Sequence, residues 1–63
     1  MKFTRKQKQL ANYSKQELQK VYSETERALR HAAKNRDRKG MDRAMSLHHD
    51  VEYALLFKDM KEG

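Results

Sequence analysis

The sequence predicts an all-α protein, and three observations carry that expectation. Leu18, Val21, Tyr22, Thr25, Ala28, Leu29, Ala32 and Ala33 fall within one sector at about 100° per residue, the i, i+3, i+4, i+7 pattern of a core-facing helix. Met41, Ala44, Leu47, His48, Val51, Ala54 and Leu55 repeat the same period further on, and neither stretch shows the strict alternation of a strand. Between them stands Gly40, the only internal glycine. The expected architecture is a single domain built on an antiparallel helical hairpin, residues 14–39 and 41–61, completed by dimerisation into a helical bundle.

Residues 1–12 are a short basic lead-in. Thr4 is placed to cap a turn or two running through Leu10, and Phe3 and Leu10 are the only large apolar anchors before Tyr13. So short a helix is marginal without tertiary support, which leaves two states open: helical and docked loosely on the long helix, or disordered until a partner arrives.

The long helix opens on Ser14, Lys15, Gln16 and Glu17, which read as a capping box. Lys20, Arg27, Arg30, Lys34 and Arg38 lie opposite its apolar sector with no acid among them. Glu24 and Glu26 occupy the flanks, spaced to pair with Arg27 and Arg30. The basic stripe extends over roughly 27 Å at 1.5 Å per residue. Gly40 suits the left-handed position beyond the helix C-terminus, where the preceding cations complement the dipole, and Asp42 suits the cap of the next helix.

The second helix is apolar beyond its hairpin face. Met45, His49, Tyr53, Leu56, Phe57 and Met60 continue around a sector that one neighbouring helix does not cover, and contiguous exposed apolar groups mark interfaces. Methionine adapts readily at such surfaces. Two occupants fit: a partner chain, with a symmetric homodimer the simplest, or the N-terminal segment folded over the patch as a third helix.

Composition sets the bounds. Sixty-three residues with 23 apolar ones, six of them Ala and four Met, leave a thin core. There is no Cys, hence no disulfide and no thiolate chemistry, which fits a cytoplasmic location. No apolar run approaches the roughly 20 residues that span a bilayer. Charge is uneven: residues 1–40 carry twelve Lys and Arg against four Asp and Glu, whereas residues 41–63 carry three against five. The basic half is drawn to acidic protein surfaces or to nucleic acid.

Several chemistries find little footing. His48 with Glu52, and Met45 with His49, share a face at i, i+4, but a metal site also needs His31 to reach across the hairpin, so no metal or other cofactor is expected. His48 reads instead as a semi-buried core histidine. No glycine-rich phosphate loop, nucleophile elbow or pocket-forming insertion is present, so neither an enzyme nor a small-molecule substrate is expected. Ser46 and Asp50 are spaced like the first and last residues of the Ser-Gln-Glu-Leu-Asp motif, and this stretch is similar there to the helical-hairpin phosphatases that act on sporulation response regulators. Leu47, His48 and His49 depart from that motif, so no activity is carried over; the likeness shows how a hairpin regulates by docking on a larger protein. In size and charge the chain also resembles the accessory proteins of phages and mobile elements. The leading expectation is a non-enzymatic regulator or adaptor, dimeric or bound to a larger protein through the apolar patch and steered by the basic stripe. The alternative is a nucleic-acid-binding regulator using that stripe and dimeric through the patch.

Overall fold

The computed structural model describes residues 2–62, Glu62 in its backbone only, so that Met1 of the lead-in lies outside the described residues. The protein is all-α. Among the described residues there are three helices, α1 (Arg5–Leu10), α2 (Lys15–Lys34) and α3 (Arg38–Glu62), and no strand.

Of the lead-in, Arg5–Leu10 takes the helical alternative, docked on α3 rather than on the long helix α2. Thr4 and Gln7 form a complete capping box: the Gln7 amide donates to Thr4 Oγ1 at 3.2 Å, and the Thr4 amide donates to Gln7 Oε1 at 3.0 Å. Gln7 does more than cap. It is buried, and its Nε2 donates to Asp50 Oδ1 at 3.1 Å, while Lys6 Nζ lies 3.8 Å from the other oxygen of that carboxylate. Phe3 meets the rings of Tyr53 and Phe57 edge-on at centroid distances of 6.1 and 5.0 Å, and Lys58 Nζ donates to the Ala11 carbonyl at 3.3 Å. These long-range contacts supply the tertiary support that so short a helix lacks by itself.

Helix α2 begins where the sequence places it. The Glu17 amide donates to Ser14 Oγ at 3.1 Å, although the return bond from the Glu17 side chain is not formed. Its end and the start of α3 depart from expectation. The amides of Arg36 and Asp37 donate to the carbonyls of Ala33 and Ala32, a Schellman closure, and the left-handed residue is Arg36 at φ 54° rather than Gly40. Asp37, not Asp42, caps α3: its Oδ1 accepts from the Gly40 amide at 3.1 Å, and its carbonyl opens the helical ladder by accepting from Met41. Gly40 therefore lies inside the first turn of α3. A Cβ there would run into the Asp37 carboxylate, 2.9 Å from its Cγ, and would sit 3.4 Å from Ala32 Cβ. This glycine serves close approach, not backbone handedness.

Helices α1 and α2 each rest chiefly on α3. Lys15 at the start of α2 pairs with Asp59 near the end of α3 at 2.8 Å, Thr25 meets His48 midway, and Ala32 approaches Gly40 at the turn. Leu18, Val51 and Ala54 form the buried centre, with Leu10, Ala11, Val21, Tyr22, Leu47 and Leu55 packed around them. Ala28 and Ala33, expected in the core sector, are exposed at its edges. At 40 × 22 × 14 Å the Cα envelope is, in its thinnest direction, two helix layers deep, because one helix of Cα atoms is about 5 Å across and packed axes lie about 8–10 Å apart. Helix α3 is therefore covered on two sides and bare on a third.

Candidate functional site

The bare side of α3 carries Met45, His49, Leu56 and Met60. Met45 is 55%, Leu56 38% and Met60 63% exposed, and His49 is exposed as well. Counting about 100° per residue from Val51, which points into the core, these four fall between about 120° and 180°, beyond the reach of both neighbouring helices. Tyr53 and Phe57 behave differently. Phe3 covers both, leaving them half-buried, and His49 stacks on Tyr53 at 4.3 Å between ring centroids. The lead-in segment thus masks one edge of the apolar sector and leaves the rest open, an outcome between the two alternatives the sequence allows.

The basic residues lie on the opposite face of the molecule. Lys20, Arg27, Arg30 and Lys34 are exposed on α2, and Lys20, Arg27 and Lys34 point directly away from the Leu18 side. Arg38 is also exposed, but it is the first residue of α3 and sits past the turn, so the stripe on α2 itself runs from Lys20 to Lys34, roughly 21 Å. Neither the Glu24–Arg27 nor the Glu26–Arg30 pair closes to ion-pair distance among the described residues, so the stripe is not neutralised from its flanks. Lys34, Arg36, Arg38 and Lys39 gather at the turn, all exposed. No acid occupies the first turn of α3, where Arg38 and Lys39 oppose the helix dipole.

His48 is half-buried, as its place in the sequence implies. It stacks on Tyr22 at a centroid distance of 4.2 Å, and its Nδ1 lies 2.9 Å from Thr25 Oγ1. The Thr25 hydroxyl also donates to the Tyr22 carbonyl at 2.6 Å, so its single proton is already used and His48 Nδ1 is the donor to Thr25. His31 instead bonds Asn35 at 3.1 Å, four residues along its own helix. Among the described residues no three His, Asp or Glu side chains gather as a metal ion requires. Asp50, the far end of the Ser46 to Asp50 stretch, is held by Gln7 and Lys6.

The sequence reading missed one surface. Leu10, Tyr13, Leu18 and Val21 line a shallow groove of about 410 Å³ edged by Glu17, Lys20 and Glu24, with Tyr13 55% exposed. Its signal was faint, because Tyr13 stands outside both periodic stretches. Among the described residues no helix is long and apolar enough to cross a membrane. Compared with known protein families, curated proteins and solved structures, the chain matches none.

Proposed function

We propose that this chain is a small non-enzymatic regulator or adaptor that works by protein–protein contact. One observation carries the reading: the apolar ridge of Met45, His49, Leu56 and Met60 faces away from both of its neighbouring helices. Large apolar side chains aligned on one helix face are the usual substance of an interface core. The ridge supplies contact between the hairpins of two copies, or with a larger partner. The α2 stripe steers encounter with an acidic surface and adds rate and specificity more than affinity. Because the two surfaces lie back to back, one flat partner does not span both.

The test pairs two sets of variants on the full chain. Leu56→Asp with Met60→Asp should abolish self-association and the capture of a protein partner from nuclease-treated lysate, with helicity unchanged. Wild-type mass and capture in that variant would refute the reading. Reversing Lys20, Arg27 and Lys34 to Glu should slow association while leaving the ridge contact in place.

A second reading, nucleic-acid binding, is favoured by the unneutralised stripe and by the cations at the turn, two of which oppose the α3 dipole. On that reading binding to a duplex falls steeply with salt, and the triple reversal flattens the log–log slope by about three units and removes most of the affinity. Binding that survives a rise in salt would leave the first reading standing.

A further inference from the structure

We infer that α1 is a strap that opens as one unit while α2 and α3 stay folded together. Its release adds Tyr53 and Phe57 to the apolar ridge, so that the full contact surface exists only in the open form. The opening stands on the contacts of α1 alone; its consequence for association rests on the reading above.

What holds α1 is narrow. Gln7 is the only buried residue of Arg5–Leu10, and it is polar. Phe3 and Leu10 are half-buried, the Lys6 side chain that faces Asp50 is 64% exposed, and Lys58 reaches the Ala11 carbonyl at 3.3 Å. A hydrogen bond between polar groups contributes modestly, because water satisfies both groups once they part, and an exposed ion pair contributes little. Scant apolar burial and solvent-facing polar contacts mark a segment that opens well below the free energy of global unfolding.

The release is all-or-none because one side chain has two tasks. Gln7 Oε1 accepts from the Thr4 amide and closes the capping box, while Nε2 of the same side chain donates to Asp50. Once Asp50 lets go, the group that closes the cap is no longer held in place, and six residues without tertiary support do not stay helical. Phe3 stands directly before Thr4. Loss of the helix therefore withdraws its ring from Tyr53 and Phe57.

Angle decides what the release does. On the same count from Val51, Tyr53 and Phe57 fall at about 200° and 240°, directly beside the ridge. The closed ridge is about 60° wide, narrower than the ~100° stripe by which a helix packs on a neighbour; with the strap off it widens to about 120°. Helix α1 thus sets the width of the surface. An association that needs the open form is weakened in proportion to how rarely that form is populated.

The test uses the full chain and reads each variant at a site it does not alter. Under native conditions dilute trypsin should cut after Lys6 and Lys8 at a rate insensitive to low urea. Cuts after Lys20, Arg27 and Arg30, exposed on α2 as well, should need global unfolding and rise steeply with urea. Gln7→Ala removes a contact to Asp50, yet it should speed nitration of Tyr53 by tetranitromethane about tenfold or more, again with little dependence on urea. Phe3→Ala should speed cleavage after Lys6 and Lys8 by a similar factor, with most of the helicity kept. A Tyr53 rate that ignores Gln7→Ala would overturn the strap, as would α1 and α2 sites cut together with one urea dependence. Self-association, or capture of the larger partner, should tighten in Gln7→Ala by at least the factor seen for Tyr53. Unchanged or weaker association alongside faster nitration would overturn the gating. If Leu56→Asp with Met60→Asp leaves association as in the wild type, the ridge reading falls and the gating with it, while the opening stands on its own readouts. If those substitutions abolish association but α1 and α2 sites are cut together, the ridge reading stands and the strap falls.

Discussion

Arg36 holds a backbone conformation that glycine adopts without cost. At φ 54° its Cβ is crowded, a penalty of roughly 1 kcal/mol that the Schellman bonds and the Asp37 cap offset. Arg36→Gly should therefore raise stability by about 0.5–1 kcal/mol, read as a higher denaturant midpoint with an unchanged slope; a lower midpoint would mean that the arginine side chain makes a contact outweighing the strain. Gln7 poses the opposite case. Its sequence neighbours are Lys6 and Lys8, and only the fold reveals that it is buried and reaches Asp50 on α3. Gln7→Ala should cost about 1–3 kcal/mol by leaving the Asp50 carboxylate without that donor, and the amides of α1 should exchange faster than those of α2. Equal exchange in α1 before and after the change would show that the aromatic contacts of Phe3 hold the segment unaided. The Thr25–His48 bond was half legible, since both residues sat in core sectors, but a sequence does not say that two polar groups meet.

Among the elements, α2 was the most legible because its signals agree: a Ser14 cap, an apolar sector, and cations opposite. The start of α3 was misplaced because Gly40 carries the strongest local turn signal in the chain, whereas the capping bond that decides the start comes from Asp37, three residues earlier. That start has an electrostatic consequence. Arg38 and Lys39 occupy the positive end of the α3 dipole, where an acid is favoured, so Lys39→Glu should add roughly 0.3–1 kcal/mol of stability at low ionic strength, and the gain should fade as salt is added. A loss of stability on that change would mean that the cation has a structural partner. A gain in stability accompanied by a loss of binding would assign the turn to partner recognition. Helix α1 could not be decided from sequence for a plain reason: six residues hold no helix unaided, and the contacts that hold this one come from 40 to 55 positions away.

For the whole molecule, the arrangement follows from a shortage of chain. Leu18, Val51 and Ala54 are a small centre, and a body 14 Å deep has too few helices to surround α3. The excess of apolar residues on the C-terminal helix was readable from their spacing. Which of them would stay uncovered was not, because Phe3 lies so far from Tyr53 and Phe57 in sequence. The central claim is that the remaining ridge is where the molecule associates. Sedimentation equilibrium over a range of concentrations tests it most directly, with the wild-type chain beside the Leu56→Asp, Met60→Asp variant. The wild type should average above 7.6 kDa and fall towards that value on dilution, while the variant stays at 7.6 kDa with its helicity intact. A wild-type mass of 7.6 kDa at every concentration, or a variant that associates as the wild type does, would contradict the account.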